Sequence, residues 1–242
     1  MHTGQGGMTI IGRIARRLGS GPSPSTADVA RNPSCSEFEV DAWQLSQFVL
    51  DKLVPAVGIH PFPLHELMLL SAATCKFRPP LIFEWGTHIG KSARAFYEVL
   101  THYNIPGEIH SVDLPDDVRH VEHPSDERGR LVRGLDRVHL HQGDGVDVSV
   151  ALWKQRDRPR GVLFLVDGDH AFDSVYRELS IIVREIPDAN VLLHDTFFQS
   201  AASGYNIGPW RAIEEVMHAN PGRFKRMDSG LGLPGMTLLY GA

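Results

Sequence analysis

The chain of 242 residues is short of cysteine, of long apolar runs and of excess positive charge. Cys35 and Cys75 are its only cysteines, too few for a disulfide framework or a zinc cluster. No apolar run reaches the length of a membrane span, and the polar, glycine-rich N-terminus does not read as a signal peptide. A formal net charge of -5 disfavours a broad nucleic-acid-binding surface. We therefore expect a cytoplasmic protein that has neither a membrane nor a nucleic acid as partner.

The composition indicates a folded α/β protein with a flexible start. Hydrophobic residues make up 42% and charged residues 22%, which supports a sizeable core and argues against global disorder. Residues 1–35 are rich in Gly, Ser and Pro and are expected to form a flexible arm. Within them, Met8 to Leu18 has the spacing of an amphipathic helix. That segment is a candidate substrate lid or membrane-surface contact, with a frayed arm or a packing helix as the alternative.

Residues 36–78 predict a helical cap, interrupted at Pro61-Phe62-Pro63, and residues 79–242 predict the main domain. The main domain alternates apolar strand runs with helical patterns, which implies a parallel sheet covered by helices on both faces. The last two runs are separated only by a Gly- and Pro-rich segment and predict an antiparallel hairpin. The seven predicted strands are Leu81–Glu84, Glu108–Val112, Arg137–His141, Val162–Val166, Val191–His194, Phe224–Met227 and Met236–Tyr240.

The most informative segment runs from Leu81 to Ser92. An apolar run ends at Glu84, a glycine-bounded turn follows, and a helix then opens. Gly86 can adopt a positive φ and lets a ligand approach the backbone, while Gly90 lets the helix lie close to the loop. The pattern is E-x-G-x-x-x-G-x-S, which departs from the G-x-G-x-x-G dinucleotide fingerprint. It predicts a site for a nucleoside-like cofactor, with a purely structural turn as the alternative.

The other predicted strands also end in polar residues, and ligands of open parallel sheets bind beyond these ends. Asp113 is placed for a ribose diol, with an ordinary loop acid as the alternative. Asp144, in Gly143-Asp144-Gly145, is a candidate for an adenine amine, with a simple turn as the alternative. His170 is a candidate general base, with a capping or packing histidine as the alternative.

A metal site is a further expectation at the fourth and fifth strand ends. Asp167, Asp169 and Asp195 can converge with His194 and bind Mg²⁺ or Mn²⁺. The alternative is helix capping together with a hydrogen-bonded core pair. His120, Glu122 and His123 also have metal-like spacing, but they lie in a polar stretch that favours a solvated loop.

With these motifs, the sequence resembles a class I S-adenosylmethionine (SAM)-dependent methyltransferase with a seven-stranded Rossmann-like sheet. More narrowly, it is similar to the cephalosporin-hydroxylase-like and macrolide-sugar O-methyltransferase group. The resemblance covers about residues 79–242. It rests on the segments Glu84–Ser92, Ser111–Asp113, Leu165–His170, Val191–Asp195, Gly208–Glu215 and Leu233–Leu239.

The resemblance implies roles for individual residues. Asp167, His194 and Asp195 would hold a divalent metal that binds the acceptor, and His170 would take the hydroxyl proton. Metal-binding relatives often have a carboxylate pair or Asp-Asn at the end of strand five, so His194-Asp195 departs from the pattern. The implied cofactor-binding residues are Glu84, Gly86, Thr87, Gly90, Ser92, Asp113, Gly143, Asp144 and Asp167.

The leading interpretation is therefore O-methylation of a small molecule, such as a natural-product sugar. The alternatives are metal-independent N-methylation, a non-catalytic cofactor-binding protein of the same fold, and an NAD-dependent oxidoreductase, which the missing third glycine weakens. The acceptor is expected to bind between the helical cap and the segments 115–134 and 197–209. A homo-oligomer is a further expectation.

Overall fold

The computed structural model describes residues 35–118 and 127–241. The predicted amphipathic segment Met8 to Leu18 lies outside the described residues, and so do His120, Glu122 and His123. None of the described helices is long and apolar enough to cross a membrane.

The N-terminal region is helical on both sides of the break at Pro61-Phe62-Pro63. The Asp41 carboxylate begins the first helix by accepting hydrogen bonds from the backbone N–H groups of Trp43 and Gln44, each at 3.1 Å. The continuous helical segment that starts there ends at Gly58, whose φ of 75° favours glycine. The elements are α1, Ala42–Phe48; a π-helical turn, Val49–Leu53; α2, Val54–Val57; and α3, Leu64–Phe77.

Seven strands form one mixed sheet. They are β1, Leu81–Trp85; β2, Glu108–Asp113; β3, Val138–Gln142; β4, Leu163–Val166; β5, Asn190–His194; β6, Phe224–Asp228; and β7, Met236–Gly241. The order is β3-β2-β1-β4-β5-β7-β6, with β1 to β5 parallel and β7 antiparallel to both β5 and β6. The predicted fold class and the C-terminal hairpin are confirmed.

Helices cover both faces of the sheet, as alternating strand residues show. In β1, Ile82 packs with α1 to α3, whereas Phe83 and Trp85 pack in the core on the opposite face. In β5, Leu192 packs on the same face as Ile82, and Leu193 packs on the opposite face. The remaining helices are α4, Lys91–His102; α5, Gly145–Gln155; α6, Phe172–Glu185; and α7, Ile207–Ala219. Of these, α4 lies on the side of α1 to α3, and the other three cover the second face.

Candidate active site

The turn after β1 is organised by a buried carboxyl group. Glu84 is fully buried, and its two oxygens accept hydrogen bonds from the hydroxyls of Ser92 and Ser111. The Ser111 hydroxyl also lies 2.6 Å from Oγ1 of Thr87. Burial raises the pKa of Glu84 to about 7, although the two serine hydrogen bonds oppose the shift. Glu84, Thr87 and Ser92 therefore stabilise the turn through buried hydrogen bonds. Their contact with a cofactor stays a prediction.

The two glycines of this turn adopt positive φ angles, 86° at Gly86 and 88° at Gly90. A Cβ atom at Gly86 would collide with the carbonyl oxygen of Asp167 at the end of β4. A Cβ atom at Gly90 would lie 3.0 Å from Cγ2 of Val132. The sequence suggested that a ligand requires glycine at position 86. The positive φ and the close contact with Asp167 already require glycine there. The turn packs directly on the end of β4.

Asp113 ends β2 beside this turn. Its carboxylate accepts hydrogen bonds from the backbone N–H groups of Leu114 at 2.8 Å and His88 at 3.2 Å. Nε of Arg128, which the sequence analysis did not single out, lies 3.1 Å from Oδ2 of Asp113. Asp113 is therefore held next to the glycine turn by these contacts, and ribose binding stays a prediction.

Asp144 has a structural role in addition to the one predicted. Its carboxylate caps α5 by accepting a hydrogen bond from the Asp147 N–H at 3.1 Å and pairs with Nη1 of Arg177 at 3.0 Å. Burial acts to raise the pKa of Asp144, but these hydrogen bonds outweigh it and lower the pKa. The neighbouring Gly143 donates its N–H to the Asp113 carbonyl at 2.9 Å, which ties the two strand ends together. Contact of Gly143 and Asp144 with adenine stays a prediction.

The ends of β4 and β5 bring four polar side chains together. Nδ1 of His194 lies 3.0 Å from Oδ1 of Asp167 and 3.3 Å from Oδ2 of Asp195. Nε2 of His170 lies 3.2 Å from Oδ2 of Asp195 and 3.7 Å from Oδ1 of Asp167. Among the described residues, Asp167, His194 and Asp195 form the group whose donor atoms lie close enough together, within 4.8 Å, to hold a metal ion.

Asp169 does not join this group, so the expectation that it converges there is wrong. Its carboxylate turns to the start of α6, where it accepts hydrogen bonds from the Ala171 N–H at 3.0 Å and from the Ser174 hydroxyl. This i to i+2 contact is an Asx-turn that leads into the helix, whose N-cap residue is Ala171. Helix α7 packs closely against the backbone of His170. A Cβ atom at Gly208 of α7 would collide with the His170 carbonyl oxygen.

The carboxylates dominate the electrostatics of the two histidines. Burial alone would lower the pKa of His194, but the charges and hydrogen bonds of Asp167, Asp195 and Glu66 hold it well above its ordinary value. Asp167 also raises the pKa of His170, as does Asp195, against the opposing effect of burial. The pKa of Asp167 is correspondingly lowered, because the two histidines outweigh its burial.

Two residues of this site were missed by the sequence analysis. Glu66 of α3 is fully buried, and its Oε2 lies 3.0 Å from Nε2 of His194. The hydroxyl of Tyr205 donates a hydrogen bond to Oδ1 of Asp195 at 3.2 Å. Glu66 carried one signal, since it is an acid within the apolar run Leu64 to Leu70. Tyr205 carried only its place in the segment 197–209, which was expected to contact the acceptor.

The strand order of the sheet and its helices on both faces are those of the class I SAM-dependent methyltransferase fold. Residues 83–196 match the family model described as "Methyltransferase domain". No curated protein sequence matches the chain.

Solved structures of methyltransferases share this fold over nearly the whole chain. The Podospora anserina methyltransferase PaMTH1, bound to S-adenosylhomocysteine (SAH), is 15% identical with a TM-score of 0.53 over 98% of this chain and 99% of its own. The calicheamicin methyltransferase CalS11 is 14% identical, with a TM-score of 0.54 over 92% and 98%. The O-methyltransferase TomG from Streptomyces achromogenes, in complex with SAM, is 13% identical, with a TM-score of 0.54 over 88% and 92%.

Proposed function

We propose that this methyltransferase transfers a methyl group from SAM to a hydroxyl oxygen of a small molecule, with His170 as the general base. The observation that carries the proposal is the position of His170. Its side chain is 49% exposed, yet Nε2 lies 3.2 Å from the buried carboxylate of Asp195. A histidine that both faces solvent and contacts buried acids can exchange a proton with a bound acceptor.

His170 would act at its Nδ1 atom, because its Nε2 faces the Asp195 carboxylate and carries the proton of that contact. SAM supplies a methyl group that its sulfonium already activates, and SAH leaves as the sulfur regains its electron pair. The neutral imidazole takes the hydroxyl proton as the oxygen bonds to the methyl carbon. Asp195 and Asp167 stabilise the resulting imidazolium, which is the same effect that raises the pKa of His170. Tyr205, bonded to the other oxygen of Asp195, fixes the orientation of that carboxylate.

The group Asp167, His194 and Asp195 fits a divalent cation by the chemistry of its donors. Two carboxylates and one imidazole within 4.8 Å are a donor set that suits Mn²⁺, while Mg²⁺ prefers oxygen donors alone. Nε2 of His194 donates to Glu66, as the second nitrogen of metal-bound histidines usually does to a carboxylate. We propose that a cation held there stabilises negative charge on the acceptor oxygen.

His194 itself supports a second candidate, metal-independent N-methylation. Because the pKa of His194 is held well above its ordinary value, the carboxylates of Asp167 and Asp195 favour its imidazolium form when no metal is bound. That positive charge lies where the cation is proposed. An amine acceptor needs no anionic oxygen to be stabilised, so this arrangement would suffice for it.

The acceptor class is proposed from the similar structures. These include a TDP-rhamnose 3'-O-methyltransferase of calicheamicin biosynthesis and an O-methyltransferase of tomaymycin synthesis. A cavity of about 180 Å³ lies close to the site, with Thr196, Phe198 and Trp210 in its wall. We propose that a natural-product sugar or a related hydroxyl-bearing metabolite binds on this side of Asp195.

The test combines cofactor binding with methyl transfer. Calorimetric titrations with SAM, SAH and NAD should show heat for the first two only. The protein is then incubated with methyl-labelled SAM and a panel of nucleotide sugars, phenols and amines, and products are identified by mass spectrometry. Label on a hydroxyl oxygen is the expected result. Label on an amine nitrogen supports the second candidate, and binding of NAD without SAM contradicts both.

A further inference from the structure

Glu66 lies in α3, outside the residues 83–196 that match the methyltransferase family model, yet it contacts the candidate active site. Its carboxylate is fully buried and bonded on both oxygens. Oε2 lies 3.0 Å from Nε2 of His194, and Oε1 accepts the Gly235 N–H at 2.8 Å. A carboxyl group that is buried so completely is tolerated only where its hydrogen bonds are satisfied.

The contact with Glu66 determines which nitrogen of His194 faces the site. A carboxylate only accepts hydrogen bonds, so Nε2 of His194 must carry the proton of the 3.0 Å contact. Nδ1 is then the nitrogen directed at Asp167 and Asp195. The edge-on ring of Phe62, with its centroid 4.7 Å from that of His194, limits tilting of the imidazole.

The same carboxylate also supports the segment that follows Asp195. Gly235, which donates to Glu66, accepts a hydrogen bond from the Thr196 N–H at 3.2 Å through its carbonyl. The Phe197 N–H donates to the carbonyl of the neighbouring Pro234 at 3.1 Å. Glu66 therefore links α3 to both His194 and the backbone directly after Asp195.

We propose that Glu66 is a positioning residue for methyl transfer: it holds the Nε2 proton of His194 so that Nδ1 faces Asp167 and Asp195. This inference rests on the proposed function for its catalytic consequence. The helices before residue 79 thereby complete the active site. Glu66 does not reach the reacting atoms and acts through His194.

The test is the variant Glu66→Gln, which keeps the size of the side chain but replaces one acceptor oxygen with an NH₂ group. The amide can accept from Gly235 or from His194, but not from both. We expect kcat to fall about 10–100-fold, the usual effect of losing a carboxylate that orients a site histidine, with unchanged SAM affinity. Thr74→Val is the matched control, because the buried Thr74 hydroxyl of α3 donates only to the Leu70 carbonyl at 2.8 Å. It should lower the melting temperature without lowering kcat.

A second readout does not depend on activity. Nuclear magnetic resonance of ¹⁵N-labelled histidine, in excess chelator, reports whether Nε2 of His194 carries a hydrogen-bonded proton. We expect a hydrogen-bonded Nε2–H in the wild type and in Thr74→Val, and its loss in Glu66→Gln. An unprotonated Nε2 in the wild type, or an unchanged Nε2–H signal in Glu66→Gln, overturns the inference. If no acceptor is ever methylated, the proposed function fails while this readout still decides the role of Glu66.

Discussion

Two groups of histidines lie on the same sheet in opposite electrostatic surroundings. His170 and His194, at the ends of β4 and β5, contact the carboxylates of Asp167 and Asp195. His110 of β2 instead has two histidines of β3 beside it. Its Nδ1 lies 3.0 Å from Nε2 of His141, and its ring stacks on His139 at a centroid distance of 4.9 Å.

The neighbours shift the pKa values of the two groups in opposite directions. Burial, together with the charges of His139, His141 and Arg156, lowers the pKa of His110 to about 4. Carboxylates raise the pKa of both histidines at β4 and β5. His110 therefore stays neutral and packs, whereas the carboxylates at the ends of β4 and β5 favour the protonated forms of His170 and His194. Glu108, 3.5 Å from Nε2 of His110, does not offset burial there, whereas the carboxylates at the ends of β4 and β5 do.

The largest effect on the difference between the two histidine groups is expected from removing Asp195. Asp195→Ala takes away a donor of the proposed cation and the acid beside His170, so we expect turnover to fall about 100-fold or more. Excess chelator should abolish wild-type turnover and Mn²⁺ should restore it, as initial rates of SAH formation will show. Asp188→Ala, at an exposed pair with Arg160, is the control and should behave like the wild type. Full activity in excess chelator contradicts a required metal.

A smaller effect is expected where the glycine turn meets the β4 end. Gly86→Ala forces a side chain into a left-handed conformation and against the Asp167 carbonyl. Gly222→Ala is the matched control, because it has a φ of 74° but open space around its Cβ position. The control should lose about 1–2 kcal/mol of unfolding free energy and keep its SAM affinity. Gly86→Ala should lose more and bind SAM weakly. Equal losses in thermal unfolding and calorimetry would mean that the contact with Asp167 has no effect.

The smallest effect concerns the β2–β3 histidines. His110 has an ordinary pKa of 6.5 when unfolded and about 4 when folded, so between these values the unfolded chain binds more protons. Stability should therefore fall as the pH drops from 6.5 to 4, by at most about 3 kcal/mol. His110→Phe removes this titration and should flatten the dependence, as urea unfolding at several pH values will show. An equally steep dependence in the variant is the result that would refute this role.

The sequence predicted the sheet well because its strands are short apolar runs that end in polar residues. The runs at β1, β4 and β5 are buried on both faces, which is typical of central parallel strands. The hairpin followed from the short Gly- and Pro-rich connection before Met236. Each predicted strand agrees with the observed one to within a residue or so at its ends.

The site was predicted less completely, for a physical reason. The proximity of Asp167 and Asp195 was predicted correctly because each directly follows a strand. The carboxyl ends of parallel strands lie at the same edge of the sheet. Glu66 was missed because it meets His194 across 128 positions of sequence, through packing that no local pattern encodes. Asp169 was misplaced because an Asp that forms a local turn and an Asp that binds a metal have the same local sequence.

The most direct measurement is turnover at saturating SAM in His170→Ala and His110→Phe side by side. We predict that His170→Ala lowers kcat about 10²–10⁴-fold with near wild-type SAM affinity, and that the loss shrinks at high pH, where the acceptor ionises unaided. His110→Phe should keep its turnover at neutral pH. The contradicting result is a His170→Ala protein that unfolds, or that loses SAM binding while its turnover per bound cofactor is unchanged.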